Sequence, residues 1–336
     1  MKTALIITTI NKPNKNILKF SNFCKQRNWE LIVIGDKRSP KKYQIKYGKY
    51  LNLEDQKKLN FNYSKICPIN SYSRKNIGYL IALHNNNDFL IETDDDNFPK
   101  NNFFISRKIS HLVNEIKNKN WVNVYDLFLE KDENIWPRGL PLKYIKLNKI
   151  KITTNKKKKN FYLQQGLADN NPDVDAIYRI MNNNINIKFK THKKISIGKS
   201  FTPINSQNTS WFKAICPLMY LPSTCSMRAT DIIRGYVALN ILNKHKLNIL
   251  FHGSNLIQYR NIHDLSKDFY EELILYKNSN RIYKNLQSLN FENYKFDFSK
   301  CLLISYNKLI KINIIKKTEI KLLKAWIKDL KNFNFN

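Results

Sequence analysis

Leu90-Ile91-Glu92-Thr93-Asp94-Asp95-Asp96-Asn97-Phe98-Pro99 is an apolar run that ends in three consecutive aspartates. Its first half reads as a buried β-strand and its second as the loop beyond that strand's carboxyl end. Three adjacent carboxylates repel one another, so burying them is reasonable only beside a cation. Oxygen ligands alone favour Mg²⁺ or Mn²⁺, and a metal clamping a diphosphate suits that donor set. A solvated acidic turn is the competing reading of the same residues.

Upstream, Thr3 to Ile10 is a short run rich in β-branched residues that reads as a first strand. Asn16 to Arg27 places Ile17, Leu18, Phe20, Phe23 and Cys24 at helical spacing, and Trp29 to Ile34 returns as a strand ending at Gly35-Asp36. This is a βαβ unit and predicts a parallel sheet. Ligands of such sheets gather beyond the carboxyl ends of the strands, where Thr8, Thr9, Asp36 and Asp94 to Asp96 all fall. For Asp36 a plain turn residue after glycine is the alternative. Arg74, Lys75 and Asn76 open a helix carrying Ile77, Leu80, Ile81 and Leu83. Cations there oppose the helix dipole unless an anion is present, so a phosphate role competes with a surface charge pair.

Downstream, Phe103 to Ile116 is expected to be helical and Trp121 to Tyr125 a strand. Ile135-Trp136-Pro137-Arg138-Gly139-Leu140-Pro141 can be only a shaped loop. The run Lys156-Lys157-Lys158-Lys159 reads as a solvated turn. Asp173 and Asp175 precede the helical pattern Ala176 to Met181, where capping and a functional role compete. The amide-rich stretch Asn205 to Ser210 closes on Trp211, whose indole either covers the apolar face of a sugar or packs inward. Asp231 lies in the first turn of a helix from Thr230 to Leu242, where an acid is stabilising in any case. His252 ends a short strand from Ile249, and either a structural or a ligand role fits it. From Asp264 onward the chain reads as amphipathic, lysine-rich helices.

The chain has 336 residues with 58 Lys and Arg against 26 Asp and Glu, a formal charge of +32. The excess is spread along the whole length and no nucleic-acid-binding motif accompanies it, so no specific nucleic acid is expected as partner. Peripheral contact with an anionic membrane stays open. Five widely spaced cysteines indicate neither a zinc site nor a disulfide framework. The first apolar run is too short for a secretory core, and no run has the length to cross a bilayer. The expectation is a cytoplasmic protein, with a peripheral position at the inner face of the membrane left open.

Several strings, read together, resemble the STELLO-like glycosyltransferase family. They are Gly35-Asp36-Lys37-Arg38-Ser39-Pro40, Ser73 to Leu80, Glu92 to Asn97, Ile135 to Gly139, Gln164 to Ala168, Pro172 to Arg179, Asn205 to Thr209, Asp231 to Tyr236 and Arg260 to Leu265. The resemblance implies an α/β fold of the GT-A type, a mostly parallel sheet sandwiched by helices, over residues 1–265. A helical extension over 266–336 completes the expected organisation. It further implies a nucleotide-sugar donor, a glycan or lipid-linked acceptor, and Mn²⁺ or Mg²⁺ on Asp94, Asp95 and Asp96 with His252 as a further ligand and His263 in reserve. Thr8, Thr9, Asp36, Arg74, Lys75, Asn76, Asp94 and Trp211 form the expected donor-binding set. Asp231 is the expected catalytic acid–base residue, with Asp173 and Asp175 behind it. Plant members of the family look like membrane-anchored Golgi proteins, and this chain is expected to lack their anchor. The competing expectation is a non-catalytic assembly factor for polysaccharide synthesis that keeps the fold.

Overall fold

The computed structural model describes every residue except Asp132, Leu147, Asn148, Asn183, Ile262, Asn334 and Asn336. Ile262 of the last family-like string therefore lies outside the described residues. In chain order the amino-terminal half forms β1 (Thr3–Thr8), α1 (Lys15–Arg27), β2 (Glu30–Ile34), β3 (Lys49–Leu51), α2 (Leu53–Lys57), α3 (Asn62–Ile66), α4 (Lys75–His84), β4 (Phe89–Asp94), β5 (Asn97–Pro99) and β6 (Ser110–Glu115). There follow β7 (Lys157–Asn170), α5 (Ala176–Met181), β8 (Lys194–Ser196), β9 (Asn208–Phe212), α6 (Thr230–Lys244), β10 (Asn248–Gln258), α7 (Leu265–Gln287), α8 (Phe298–Lys311) and α9 (Glu319–Leu330).

The strands join in one sheet of order β3-β2-β1-β4-β9-β7-β6-β8-β10-β5, with β7 also pairing β10. The block β3-β2-β1-β4 is parallel, as the βαβ reading requires. Beyond β4 the sheet is mixed: β4–β9, β9–β7, β7–β6 and β10–β5 are antiparallel. The expectation of a mostly parallel sheet is corrected accordingly: outside the first block the parallel pairs β7–β10 and β6–β8 alternate with antiparallel ones.

Both faces of the parallel block are covered. Leu5, Ile7, Leu31 and Val33 face α1 through Ile17, Phe20 and Cys24. Ala4, Ile6, Ile32 and Ile34 face α4 through Ile77, Leu80 and Ile81. This alternation explains why β1 and β2 read as continuous apolar runs. Asn14 caps α1 by accepting from Ile17 N at 3.0 Å, and Asn28 ends it in the left-handed region with φ 53°. The helices α7, α8 and α9 share one hydrophobic core with the sheet through Leu275, Ile282, Leu302 and Trp326. Asp329 of α9 also accepts the backbone N–H groups of Asn62 and Tyr63 at 2.8 Å. Among the described residues no helix is long and apolar enough to cross a membrane.

Three local expectations fail. Phe103 to Ile116 is a short 3₁₀ turn followed by β6 rather than one helix. Trp121 makes an isolated bridge to Phe201, and Val124–Leu127 is a 3₁₀ turn rather than a strand. Lys157 to Lys159 begin β7 opposite Val113, Leu112 and His111, and Lys159 pairs with Glu115. The basic run is tolerated in a strand because it lies at an open end of the sheet, where lysine heads reach water.

Candidate functional site

A cleft of about 1180 Å³ opens beyond the carboxyl ends of β1, β2 and β4. Thr8, Thr9, Gly35 and Asp36 line one end, Asp94 to Asp96 the middle, and Arg138, Asp173, Arg179, Arg228, Asp231 and Arg260 the far wall. This is the position in which open α/β sheets hold ligands.

The three aspartates of the triplet are held in three different ways. Asp94 ends β4 and accepts from Lys75 Nζ at 2.9 Å and Tyr72 Oη at 2.7 Å. Asp95 turns toward α1, accepting from Thr9 Oγ1 at 2.5 Å and Asn11 Nδ2 at 2.9 Å, while its carbonyl accepts from Asn14 and Asn16. Asp96 accepts from the neutral amide of Gln258 at 2.9 Å. Burial, with Asp94 and Asp95 close by, pushes the Asp96 carboxyl up to about 7. Burial raises Asp94 as well, although Lys75 and Tyr72 oppose the rise. Asp94 and Asp96 therefore carry negative charge that the protein only partly offsets.

Beneath the triplet, Glu92 is fully buried and ion-paired with Arg234 at 2.7 Å. Tyr79 Oη and Trp211 Nε1 also donate to it, the latter at 2.9 Å. This assignment overturns the expected sugar-facing role of Trp211. Its strand β9 lies between β4 and β7, so the indole has no route to solvent, and its N–H satisfies a buried acid. Asn76 is likewise internal, donating to Tyr63 Oη and Leu221 O at 2.9 Å each, and does not reach the cleft.

Arg74 lines the cleft with its guanidinium engaged by neutral acceptors, Gln56 Oε1 at 2.8 Å and the carbonyls of Cys67 and Pro68 at 3.2 and 3.1 Å. Asp36 lines it too, and its carboxylate holds the loop before α4 by accepting from Asn70 N and Ser71 N at 2.9 Å. Lys75 reaches the site through Asp94 rather than by facing the cavity.

The far wall is organised by Arg138 from the Trp-Pro-Arg-Gly loop. Its Nε and NH2 bind Asp173 at 2.8 and 2.9 Å, and its NH1 and NH2 bind Asp231 at 3.1 Å each. Two glycines permit this approach. Gly139 has φ +92°, and a Cβ there would meet Ile232 Cγ2 at 2.5 Å. A Cβ on Gly235 would meet the carbonyl of Ile204 at 2.1 Å, so only glycine lets α6 bring Asp231 beside Ser206. Ser206 offers N and Oγ to Asp231, each at 3.2 Å; since Tyr72 Oη donates to Asp94, the single Ser206 hydroxyl proton is shared between Asp231 and Tyr72 Oη, 2.6 Å away. Asp94, Tyr72, Ser206, Asp231, Arg138 and Asp173 thus form one continuous hydrogen-bonded chain across the cleft. Burial alone would raise the Asp231 carboxyl, but Arg138 outweighs it and takes the group down to about 2.

Asp175 is the N-cap of α5, accepting from Tyr178 N at 2.8 Å and from Trp136 Nε1 at 2.7 Å, and it does not line the cleft. The capping reading therefore accounts for it. His252 is not brought to the triplet. Its Nδ1 lies 3.0 Å from Gly253 O, and burial, with Arg107 and Lys194 nearby, takes its pKa down to about 3. The β10 register that pairs His252 with Gly166 and Lys194 turns it away from the cavity. The reserve, His263, does line the cleft, with Nδ1 3.3 Å from Asp268. Tyr72, Ser206 and Gln258 carry no signal in sequence. Arg138 carries the weak one of lying between a proline and a glycine.

Residues 228–336 match the family model of the STELLO glycosyltransferases. Along 97% of its length the chain is 26% identical to two proteins of Arabidopsis thaliana, probable glycosyltransferase STELLO2 and probable glycosyltransferase STELLO1. The alignment takes in 44% of each, so the chain spans about half the length of the curated relatives it matches. The family model covers the chain from Arg228 through α9, and the two relatives extend the similarity back across the triplet. The likeness read from the strings of the sequence is thus a likeness of almost the whole chain, which is similar to the STELLO glycosyltransferases.

Proposed function

We propose that this protein transfers a sugar from a nucleotide-sugar donor to a glycan or lipid-linked acceptor, with Mn²⁺ or Mg²⁺ at Asp94 and Asp96. The observation that carries the reading is the pair of under-compensated carboxylates at the end of a parallel strand, inside a cleft large enough for a nucleotide sugar. Among the described residues no group of three or more His, Cys, Asp or Glu side chains could hold a metal unaided. Two carboxylates fit a cation that arrives with phosphate oxygens and keeps several waters, the usual habit of Mg²⁺ and of Mn²⁺ in oxygen sites. When bound, the ion offsets the charge that builds on the departing diphosphate.

The protein's own groups supply orientation. Lys75 and Tyr72 fix Asp94, Gln258 fixes Asp96, and Thr9 with Asn11 draws Asp95 aside to anchor the loop against α1. Thr8 and Asp36 are assigned to the nucleoside end and Asp231 to the acceptor end. For Asp231 to take a proton from an acceptor hydroxyl, Arg138 must hold Asp173 alone, which its two shorter bonds already favour.

The test is thermal unfolding against a panel of nucleoside diphosphates and nucleotide sugars, with Mn²⁺ and with EDTA. Saturation at a hundredfold excess over Kd stabilises by about 2.7 kcal/mol. The expected result is a rise in Tm for one base family with Mn²⁺ only. Equal stabilisation in EDTA overturns the metal assignment, and no stabilisation by any nucleotide overturns the transferase reading.

A further inference from the structure

Arg179 of α5 is 7% exposed and lines the far wall of the cleft. Its NH2 donates to Pro172 O at 2.8 Å and its NH1 to Asn171 Oδ1 at 3.1 Å, while its Nε is buried with no partner. Among the described residues no carboxylate lies within ion-pair distance of it. The neighbouring cations are paired: Arg228 with Glu272 at 2.6 Å and with Asp268 at 3.8 Å, and Arg260 with Asp268. At ion-pair distance Arg228 and Arg260 share Glu272 and Asp268, and Arg179, the most buried of the three, reaches neither. Burial and the nearby Arg260 and Arg228 lower Arg179 only to about 9, so it stays charged at neutral pH. A buried cation among cations, at the wall of a cleft and with no carboxylate of its own, is costly unless an anion completes it.

We infer that Arg179, Arg228 and Arg260 form an oxyanion subsite for a phosphate or carboxylate group on the acceptor, separate from the donor's diphosphate. This rests on the transferase reading above and narrows it to anionic acceptors. Separation from the donor follows from the surroundings. Arg179 bonds Asn171 and Pro172, and Arg228 and Arg260 pair with Glu272 and Asp268, whereas the triplet is held by Lys75, Tyr72, Thr9, Asn11 and Gln258, so the two groups share no partner among these bonds. Arg260 marks the border, since it also acts on Asp96. A planar guanidinium suits either oxyanion, and a tetrahedral phosphate allows all three arginines to bind together.

The experiment is calorimetric titration of the full chain in EDTA with inorganic phosphate and, separately, with glucuronate, followed by Mn²⁺ with a nucleoside diphosphate. Arg179→Gln is expected to weaken phosphate or glucuronate binding by about tenfold or more, the range for losing a charged hydrogen-bond partner. Its Mn²⁺-nucleotide affinity is expected to stay within about threefold, because additivity holds for sites that share no partner. Tighter binding of phosphate assigns the subsite to a phosphorylated or lipid-phosphate acceptor, and tighter binding of glucuronate to an acidic sugar. Arg260→Gln guards against misfolding of the first variant, since Asp268 keeps Arg228 and His263 when Arg260 is removed. It too should weaken the oxyanion. Binding of both anions that is unchanged in both variants overturns the subsite. So does full competition between phosphate and the nucleotide with both lost together in Arg179→Gln, which makes the anion the donor's own diphosphate. Arg179-dependent phosphate binding in a protein that binds no nucleotide keeps the oxyanion site but overturns its assignment to an acceptor and the transferase reading with it.

Discussion

Asp96 and Asp231 face the same cleft, both under a tenth exposed, and their carboxyl groups are driven in opposite directions. Asp96 has two neutral amides, of Gln258 and Asn97, and two acidic neighbours, and burial takes it up to about 7. Asp231 has the fork of Arg138 and two donors from Ser206, which overcome the same burial and take it down to about 2. Burial alone therefore does not decide what a carboxylate in this cleft can do; the sign of its partner does. The triplet carboxylates are left short of positive charge, and on the far wall Arg179 is left without a carboxylate at ion-pair distance. A ligand that brings a cation to one side and an anion to the other completes both.

The comparison breaks most completely at Arg138. Arg138→Gln leaves Asp173 and Asp231 buried without their shared cation, and removing one partner of such a network costs about 3–5 kcal/mol. Urea unfolding measures it, and a loss under about 1 kcal/mol, the range of a surface pair, means the bridge does not organise the wall. On the triplet side stand Asp94→Ala and Asp96→Ala. Each is expected to lose roughly 10²-fold in Mn²⁺-nucleotide affinity, the upper end for disturbing a metal site. Asp96→Ala should not lower the Tm of the ligand-free protein, because it relieves repulsion within the triplet, whereas Asp94→Ala should lower it by leaving buried Lys75 without its carboxylate. Undiminished affinity in both variants removes the triplet from the metal site.

Asp96 also sets a pH dependence. Its folded pKa of about 7 lies above its ordinary 3.8, so between those values the folded state binds more protons than the unfolded. Its contribution to stability is full below the lower value and is lost as pH rises through about 7. A cation must displace that proton, so metal-nucleotide affinity should climb by about tenfold per pH unit up to about 7 and then level. An affinity that is flat from about pH 5.5 to about pH 7.5 places Asp96 outside the cation's ligands.

The acceptor side is sharpened by pairing Asp231→Asn with Asp173→Asn. If Asp231 takes the proton once Arg138 has moved onto Asp173, the first variant loses about 10²-fold or more in transfer and the second much less. Equal losses mean that both acids only position Arg138. Donor affinity should hold within a few-fold in each.

The parallel block was legible because β1, α1, β2, α4 and β4 announce themselves through periodicity and caps. The triplet was legible because three acids directly follow an apolar run. The rest depends on separations that local patterns do not record: Tyr72 meets Asp94 across 22 positions, Arg138 meets Asp173 across 35 and Asp231 across 93. Trp211 misled for a related reason. An amide-rich stretch ending in Trp describes a sugar platform and a central strand equally well, and only the pairing of β9 with β4 on one side and β7 on the other distinguishes them. Lys157 to Lys159 and Ser110 to Glu115 form strands that their polar composition conceals, because each has its partner in the other.

The smallest effect belongs to His252, and it tests how far a family-like histidine can be carried by sequence. It sits on β10 at the irregular stretch before Leu256, where the register with β7 shifts, and that shift is what turns its ring from the cavity. Its Nδ1 faces the Gly253 carbonyl and its Nε2 is buried without a partner, beside the cations of Arg107 and Lys194. A cation ligand needs a lone pair aimed at a seat with negative charge, and this environment offers the reverse. His252→Ala should therefore change Mn²⁺-nucleotide affinity by less than about twofold, against the roughly 10-fold to 100-fold expected on losing a ligand or its immediate support. His263→Ala is the informative companion: His263 lines the cleft and pairs with Asp268, so its removal disturbs the arginine wall rather than the triplet. Titration of both variants with Mn²⁺ and a nucleoside diphosphate decides the matter. A tenfold loss in His252→Ala alone would mean that β10 changes its register when the cation binds, bringing the histidine to Asp96 after all.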